Sequence, residues 1–325
     1  SGSPIFHSES WPFTFCSMPN AKVRSYLHFH FIVFIWGFTA VLGALITIDA
    51  VPLVWYRMLM ASGFIFIYLK WKRKNLRVNR RSLLIMIAAG LVIALHWLSF
   101  FAAIKVSNVS ITLALLSTGA LFTSVLEPVF YKRKFIWYEL LFGLIVCIGL
   151  YIIFKVETQF YYGMMLALGS AFLSAVFTLI NGKLVKKEDS SVISFYELLT
   201  GVAAITIYLA CVSFVGGSSD GFSPEFFKLS QTDWFYLIIL ATVCTAYAFI
   251  AAVAVMKHLS PYTVMLTINL EPVYGIFLAF IVFGSSERMD PGFYYGALII
   301  FGTVVLNGFL KTRRKKSKNK KNPSL

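Results

Sequence analysis

The sequence predicts an all-α polytopic membrane protein with ten transmembrane helices, arranged as two inverted repeats of five helices. Three observations lead to this prediction. Hydrophobic residues make up 58% of the 325 residues and only 13% are charged, which is more apolar surface than a water-soluble domain of this size can bury. The apolar residues fall in runs of about 20, the length that crosses a bilayer as a helix. The second half of the chain also repeats features of the first.

The apolar runs define the ten predicted helices in chain order. Several neighbouring runs are separated by only two to four residues, so consecutive helices must form antiparallel hairpins. The predicted helices cover residues 29–47, 51–69, 82–104, 109–131, 135–154, 161–182, 192–214, 234–256, 262–283 and 292–310.

Basic residues predict how the helices are oriented. Alternate loops carry 24 Lys and Arg residues on one side of the membrane and four on the other. Because Lys and Arg accumulate in cytoplasmic loops, we predict a multi-pass protein of the plasma (inner) membrane with both termini in the cytoplasm. The net charge of +15 therefore lies along the surface of the lipid bilayer. No nucleic-acid partner is predicted, because the basic residues do not gather on an exposed domain.

The chain divides into two tails and two repeats. Residues 1–27 are expected to form an N-terminal cytoplasmic tail. This tail begins with SGS, which is typical of a non-native or cleaved start, and Met18 would make a natural one. Residues 28–155 and 156–310 form the two repeats, and 311–325 form a basic cytoplasmic tail. The basic tail is either an orientation anchor beside anionic lipid or a segment that binds a partner.

Two alignments carry the repeat. The segment 100–122 aligns with 252–275 at a shift of 153 residues, and WYRML (55–59) matches FYELL (195–199) at a shift of 140. Because each copy has an odd number of helices, the second copy enters the membrane from the opposite side. Inverted repeats build alternating access around a central site, so this arrangement favours a transporter over a membrane enzyme or an inert anchor.

The string LEPV occurs twice, once around Glu127 and once around Glu271. In the 153-residue register the pair Glu271-Pro272 aligns with Thr118-Gly119, so the two strings are not equivalent. At about 1.5 Å per residue, Glu271 lies about 13 Å into the membrane, near its midplane. Glu127 falls at the cytoplasmic surface, where a solvated or salt-bridged carboxylate is expected.

A family resemblance follows from the segment SPYTVMLTINLEPVYGIFLAFIVFGSSERMDPGFYYGALIIFG, which includes the turn Gly284-Ser-Ser-Glu287. With ten helices in two halves, the chain resembles the EamA family of the drug/metabolite transporter superfamily over about residues 28–310. The first half departs from the family pattern. Lys134 stands where the glutamate of the turn would be, and Ser117-Thr118-Gly119 replaces the proline-bearing motif.

The resemblance implies export or import of small metabolites, amino acids among them, through a cavity lined largely by helices 1, 3, 4, 6, 8 and 9. We therefore predict a secondary transporter that exports small organic metabolites by alternating access. An importer and a channel-like facilitator without coupling are the alternatives. The partners predicted are the small-molecule substrate and the lipid bilayer, and the sequence leaves a homodimer open.

Five residues in the corresponding segments around the two predicted interruptions are predicted to serve the transport pathway. A carboxylate at mid-bilayer costs at least ~2.5–3.5 kcal/mol, so it usually faces a cavity. A proline inside a helix leaves a carbonyl without its donor, and paired Gly/Pro interruptions point to a transporter's binding site. As the alternative, Glu271 is a hydrogen-bonded structural acid that fixes the kink. The predicted residues are Thr118, Gly119, Asn269, Glu271 and Pro272.

Four further residues complete the predicted pathway. His96 lies slightly outside the midplane, where it could bind substrate or take up a proton. Trp36, Trp97 and Tyr247 offer flat surfaces with one polar atom, which suit organic substrates. Ordinary core packing is the alternative for each of the four.

Arg57 and Glu197 occupy matching positions of the repeat, next to Tyr56 and Tyr196. Each charged residue is expected ~7–9 Å in from opposite surfaces, which leaves too large a separation for an ion pair. We predict that these four residues line the vestibules. Snorkelling of Arg57 and Glu197 towards their own interfaces is the alternative.

Enzymatic activity is not predicted. The sequence contains no HExxH motif and no nucleophile elbow, and its five histidines are dispersed. Its four cysteines lack metal-binding spacing. No cofactor and no metal are expected.

Overall fold

The structure, a computed structural model, describes residues 21–132, 137–216 and 221–321, and nearly all of these are helical. A π-helical turn, Thr242–Tyr247, separates α9 from α10. Within the described residues the α-helices are α1 Ala21–Leu45, α2 Ala50–Trp71, α3 Arg80–Val106, α4 Val109–Leu116, α5 Gly119–Tyr131, α6 Trp137–Val156, α7 Tyr161–Leu184, α8 Ser190–Gly216, α9 Gln231–Ala241, α10 Ala248–Val255, α11 Pro261–Ile268, α12 Glu271–Phe283 and α13 Pro291–Lys321.

The helices confirm a polytopic membrane protein. In the described part of the chain, eight helical segments are long and apolar enough to cross a membrane. Two shorter apolar segments, Leu141–Val156 and Pro291–Asn307, lie where the fifth and tenth spans are predicted. The total of ten transmembrane helices stays a prediction.

Several helix bounds differ from the sequence-based ones. The predicted fourth, eighth and ninth spans are interrupted, at 117–118, at the π-helical turn and at 269–270. Helix α1 begins at Ala21, inside the predicted N-terminal tail, and α13 continues through the basic tail to Lys321. Residues 1–20, Lys134 and 322–325 lie outside the described residues.

Helix packing relates the two halves of the chain. Helix α3 packs on α7 and α8, α2 packs on α8 and α9, α1 packs on α10 and α12, and α4 and α5 pack on α7. Exchanging the halves turns the α3–α7, α3–α8 and α1–α12 pairings into others that are also observed, and it turns α4–α12 into the observed α5–α11. The pairings of α2 with α8 and of α6 with α13 are left unchanged. Such a pattern is expected of two copies of one five-helix unit, and the repeat itself stays a prediction. The inverted orientation of the copies stays a prediction.

Glycines allow the closest of these approaches. A Cβ on Gly149 of α6 would lie 2.9 Å from the carbonyl oxygen of Gly296 in α13, and a Cβ on Gly296 would lie 2.7 Å from the carbonyl oxygen of Gly149. Small residues at such a contact let two membrane helices pack backbone to backbone. This pair holds the two flanking helices together, away from the centre of the bundle.

Polar contacts between the halves close one end of the bundle, which we call the far end. Asp233 accepts hydrogen bonds from the amide and the hydroxyl of Thr47, both at 2.7 Å. Glu287 accepts from the amide and hydroxyl of Ser110 at 2.9 and 2.6 Å. Within the first half, Lys105 donates to the carbonyl of Ile46, just after α1. The far end consists of residues 46–49, 107–108, 157–160, 221–230 and 284–290.

A second set of contacts closes the opposite end, which we call the basic end. Lys74 forms an ion pair with Asp189 at 3.0 Å, and the Tyr196 hydroxyl donates to the carbonyl of Leu76 at 2.9 Å. Both ends are therefore tied across the two halves. The basic end consists of residues 72–79, 131–132, 185–189 and 256–260.

Candidate functional site

A cavity of about 80 Å³ lies at the centre of the bundle, between the two interrupted helices α4–α5 and α11–α12. A polar cavity of this size is large enough to hold water. All six spans implied by the family resemblance contribute to its wall, and α2 contributes Arg57 in addition. The polar wall residues are Thr39, Arg57, His96, Ser174, Thr178 and Glu271, and the aromatic ones are Trp36, Trp97, Phe100, Phe177 and Phe249.

Arg57 lies in the cavity wall and is only 2% exposed. Its Nε donates to the Thr245 hydroxyl at 2.6 Å, and its guanidinium carbon lies 4.0 Å from the ring centre of Trp97 and 5.3 Å from that of Phe101. Cation–π contacts of this kind stabilise a desolvated guanidinium. The vestibule expectation for Arg57 is corrected, because helices distant in sequence supply the partners that make snorkelling unnecessary.

The π-helical turn positions Arg57 and Trp36. The Thr245 hydroxyl that accepts from Arg57 donates in turn to the carbonyl of Leu240, five residues earlier, at 2.6 Å. The carbonyl of Cys244 accepts a hydrogen bond from Trp36 Nε1 at 3.2 Å. Single π-helical turns inside α-helices are frequent at functional sites because they release backbone groups and turn side chains. The sequence analysis missed this turn.

Glu271 is the first residue of α12 and is 6% exposed. Helix α11 ends at Ile268, and Pro272 falls in the first turn of α12, where its missing N–H breaks no helical hydrogen bond. Within the described residues, no hydrogen bond or ion pair engages the Glu271 carboxylate, although Arg57 lines the same cavity. The alternative, that Glu271 is a hydrogen-bonded structural acid, is therefore supported by no hydrogen bond among the described residues.

The interruption between α4 and α5 has a different chemistry. The Ser117 hydroxyl donates to the carbonyl of Ala114 at 2.6 Å, and the Thr118 hydroxyl donates to that of Leu115 at 2.7 Å. At Gly119 a Cβ would lie 2.6 Å from Cε of Met265, so α5 begins in close contact with α11. This interruption is uncharged, and its hydroxyls are satisfied.

Four predicted pathway residues form the interruptions rather than the wall. All four are buried: Thr118, Gly119, Asn269 and Pro272. From the same two segments, the residues that line the cavity are Leu116, Ile268 and Glu271. Asn269 is 1% exposed, and neither atom of its amide has a hydrogen-bond partner.

His96, Trp97 and Trp36 do line the cavity. His96 Nδ1 lies 2.9 Å from the Ser170 carbonyl oxygen and 2.8 Å from the Ser170 hydroxyl oxygen, while that hydroxyl donates to the carbonyl of His96. A carbonyl only accepts, so Nδ1 carries the proton and Nε2 keeps its lone pair. The ring is thus fixed by α7 and presents an acceptor nitrogen.

The remaining predicted residues lie away from the cavity wall. Tyr247 is 36% exposed and bonds His28 Nε2 at 2.8 Å, so it belongs to the bundle surface, and its predicted place in the pathway is corrected. Tyr56 packs on Phe226 at the far end. Tyr196 lines a shallow surface pocket at the basic end. Glu197 is fully buried, so the expectation that it lines a vestibule or snorkels is corrected too.

Sequence reasoning missed several wall residues. Thr39, Ser174 and Thr178 are small polar residues inside apolar runs, and Phe177 and Phe249 match ordinary core residues. The one usable signal was clustering of Thr and β-branched residues in TVCT (242–245), since threonine bonding back to the backbone bends helices. In the part of the chain that the structure describes, no group of three or more His, Cys, Asp or Glu could hold a metal ion.

Comparisons with known proteins agree with this architecture. The model of the EamA-like transporter family matches residues 24–155 and 161–309. An uncharacterized transporter of Archaeoglobus fulgidus is 24% identical over 296 residues, which cover 88% of this chain and 97% of the relative. A solved crystal structure superimposes with a TM-score of 0.64 at 13% identity, covering 89% of this chain and 99% of the other. The likeness to the solved structure concerns the fold alone.

Proposed function

Because the chain belongs to the EamA-like transporter family, we propose that this membrane transporter is a secondary transporter, which exports small organic metabolites by alternating access through the central cavity. The substrate class that we propose is the zwitterionic metabolites, with amino acids as its simplest members. Family membership points to a transporter rather than an enzyme.

The observation that carries the proposal is that a guanidinium group and a carboxyl group line the same small cavity. Arg57 and Glu271 both line the wall, and they form no ion pair with each other. The Arg57 Nη1 has no hydrogen-bond partner, and Glu271 has none among the described residues. A substrate carboxylate fits the guanidinium fork, a substrate ammonium group fits the carboxylate, and the flat faces of Trp36 and Trp97 suit the organic part.

The size of the cavity favours a cycle in which the wall moves. The cavity is small and lies between two closed ends, so a substrate can enter it only if the surrounding helices separate. The interruptions at 117–118 and 269–270 are the places where α4–α5 and α11–α12 can bend, because they lack continuous helical hydrogen bonds. The ties at the far end and the basic end would then break in alternation.

Orientation and direction complete the proposal. We place the basic end and both termini in the cytoplasm and the protein in the plasma (inner) membrane, on the strength of the Lys and Arg asymmetry. Import is the alternative direction. A channel-like facilitator is the alternative mechanism, since paired half-sites can also line a continuous pore.

Counterflow in liposomes tests the proposal. Proteoliposomes preloaded with a mixture of unlabelled amino acids should take up labelled amino acids faster than unloaded ones do, because a carrier exchanges substrate as it reorients. Amino-acid amides, which lack the carboxylate for Arg57, should exchange poorly. Uptake no faster than in protein-free liposomes would contradict amino-acid transport, and an ohmic current would establish the channel alternative.

A further inference from the structure

Glu197, on α8, is a buried acid that the cavity does not use. Its exposed fraction is 0%, and neither carboxylate oxygen has a hydrogen-bond partner. The polar side chain beside it is Asn181 of α7, which is also fully buried with both amide atoms unpaired. Two neutral-capable polar side chains thus lie side by side in the bundle, and at most a weak hydrogen bond joins them.

The charge state of Glu197 follows from this environment. An ionised carboxylate is among the costliest groups to bury, and it persists in protein interiors only when it is paired. Here no charged side chain pairs with the oxygens, and the polar neighbour, Asn181, is neutral. A protonated carboxylic acid carries no net charge and tolerates the same position far better. The burial and the missing partners therefore favour a bound proton on Glu197.

No charged side chain of the surrounding helices pairs with the Glu197 carboxyl group. Helix α8 packs on α2, α3 and α10, and no charged side chain on them donates to Glu197. Helix α10 carries no titratable residue. The charged or titratable residues of the other neighbours are Tyr56, Arg57, Tyr68 and Lys70 on α2, Arg80, Arg81, His96 and Lys105 on α3, and Tyr161, Tyr162 and Lys183 on α7.

The position of Glu197 connects it to the closure of the basic end. The preceding residue, Tyr196, donates to the carbonyl of Leu76, and α8 begins beside the Lys74–Asp189 ion pair. At Gly90 of α3, an added Cβ would lie 2.6 Å from the carbonyl oxygen of Glu197, so α3 and α8 are in backbone contact at this point. Opening the basic end would separate these elements and admit water to Glu197.

We propose that Glu197 is a proton-binding site that couples the closure of the basic end to pH. Glu197 holds a proton while the basic end is closed and releases it as H⁺ to water when the end opens. The proton comes from water and returns to it, so no other reactant is needed. Low pH then favours the closed basic end and high pH the open one. The coupling to substrate movement rests on the proposed transport function, whereas the proton site itself does not.

The test measures accessibility without any substrate. A single cysteine replaces Ser194, which is buried one turn before Glu197 on the same helix, in an otherwise cysteine-free protein in liposomes. Its labelling by a membrane-permeant maleimide is followed from pH 5.5 to 8.5, with the rates corrected for thiol ionisation by a surface-cysteine variant. One proton bound in only one state changes the ratio of the states by up to about tenfold per pH unit. We therefore expect labelling to rise with pH, by several-fold at least.

Three variants decide the assignment. Glu197→Gln, which imitates the neutral acid, should make labelling slow and independent of pH. Glu197→Asp, which keeps an acid, should retain the pH dependence, and so should the control Glu127→Gln. A flat profile in the protein with native Glu197, or a pH dependence that survives Glu197→Gln, overturns the proposal.

An infrared measurement tests the proposal even if the Glu197→Gln variant fails to fold. In a Glu271→Gln background, the spectrum at pH 7 should contain the C=O absorption of a protonated carboxylic acid that does not exchange rapidly with D₂O. Absence of that absorption overturns the proposal. Failure of amino-acid counterflow with this absorption and the pH-dependent labelling intact would contradict the proposed transport function and leave the proton site in place.

Discussion

The two interrupted helices, α4–α5 and α11–α12, occupy matching places in the two halves but differ in chemistry. Between α4 and α5 the hydroxyls of Ser117 and Thr118 bond back to their own helix. Between α11 and α12 the amide of Asn269 has no partner, and Glu271 brings a carboxylate to the cavity. The first interruption is neutral and satisfied, whereas the second has an unpaired amide and an acid that shares the cavity with Arg57.

This difference indicates that the two interruptions serve different purposes in the proposed transport function. An interruption that needs only conformational freedom is served by Gly and by hydroxyls that satisfy themselves. An interruption that binds a charged group needs polar atoms without partners, and burying these costs stability. In the proposed function, the second half would therefore carry the binding carboxyl group of Glu271, while the first supplies the facing surface and Arg57.

The starts of the two interrupted helices differ as well. At the N-terminus of α4, Glu287 from the other half accepts hydrogen bonds from the amides of Val109 and Ser110, at 3.2 and 2.9 Å. At the N-terminus of α11, Ser260 caps its own helix through the amide of Thr263 at 3.3 Å. Helix α4 is thus tied to the other half in addition to its own cap, Asn108, which accepts from the Ile111 amide at 2.9 Å. The cap of α11 stays within its own segment.

The largest expected effect tests the inverted orientation of the two halves, on which the comparison of the two interrupted helices depends. It is all or none, because a cysteine is labelled from one side of the membrane or from the other. Asn79 lies at the N-cap of α3, and Asp220 lies outside the described residues. In a cysteine-free protein, cysteines at these two positions should react with an impermeant maleimide from opposite sides of the membrane, the one at 220 from outside. Labelling from the same side would contradict both the ten-helix topology and the inverted repeat.

The next effect separates the two LEPV glutamates. Glu271→Gln removes the charge that faces the substrate, and a hydrogen bond to a charged group is worth about 1.5–3 kcal/mol, or roughly 10- to 100-fold. Counterflow should fall by that factor while the yield of folded protein is kept.

Glu127→Gln is the matched control and should transport nearly as well as the wild type. Glu127 is half-buried near the end of α5, away from the cavity wall. Pro128 lies inside that helix, which continues to Tyr131. Equal losses in both variants would show that the two glutamates are equivalent after all.

Sequence patterns were sufficient to predict the helices and part of the site. Apolar runs placed the spans because bilayer thickness fixes their length. Glu271, His96, Trp97 and Trp36 were identified because a polar or aromatic group at mid-membrane depth is unusual, and all four line the cavity.

The remaining wall residues depend on tertiary contacts. Depth along a helix says nothing about rotation around its axis, which packing decides, and so Arg57 was expected at a vestibule while Tyr247 was expected in the pathway. The partners of Arg57 lie 40 and 188 residues away along the chain, at Trp97 and Thr245. The π-helical turn that orients Thr245 has no Pro or Gly to signal it.

A moderate effect on the rate of translocation should show whether the two helix interruptions bend during transport. Gly119→Ala favours the helix by up to about 1 kcal/mol, a roughly fivefold shift, and its Cβ meets only the flexible end of Met265 within 3 Å. Pro272→Ala restores an N–H in the second interruption. If these segments bend during transport, both variants should bind substrate normally and translocate it several-fold more slowly.

Binding, counterflow and melting temperature measured on the same two variants decide this prediction. Parallel losses of binding and melting temperature would mean that the substitutions mispack the bundle. Wild-type counterflow in both variants would locate the gate elsewhere.

A smaller effect compares the two helix starts. Glu287→Gln should lower stability by about 1–2 kcal/mol, because it replaces one accepting oxygen with an NH₂ group beside the amides of α4 and removes a charge favourable to the helix N-terminus. Ser260→Ala should cost about 1 kcal/mol or less. Thermal unfolding in detergent measures both, and a larger loss in Ser260→Ala would contradict the view that the far end depends on Glu287.

The smallest effect concerns Asp189, and it separates the ion pair at the basic end from the proton site proposed at Glu197. Burial raises the pKa of Asp189, but hydrogen bonds from Ser191 and Lys74 and the charge of Lys74 outweigh it and hold the pKa below its usual value. A lowered pKa in the folded state stabilises the protein above the unfolded pKa of about 3.9, and this contribution disappears only as the pH falls through the folded value. The ion pair with Lys74 is therefore fully formed from pH 5.5 to 8.5.

Asp189→Asn should lower the stability by no more than about 1 kcal/mol, by the same amount at both ends of that range. It should leave the pH dependence of labelling at position 194 unchanged. If Asp189→Asn instead abolished that pH dependence, the pH response of the basic end would belong to this surface ion pair and not to the buried acid.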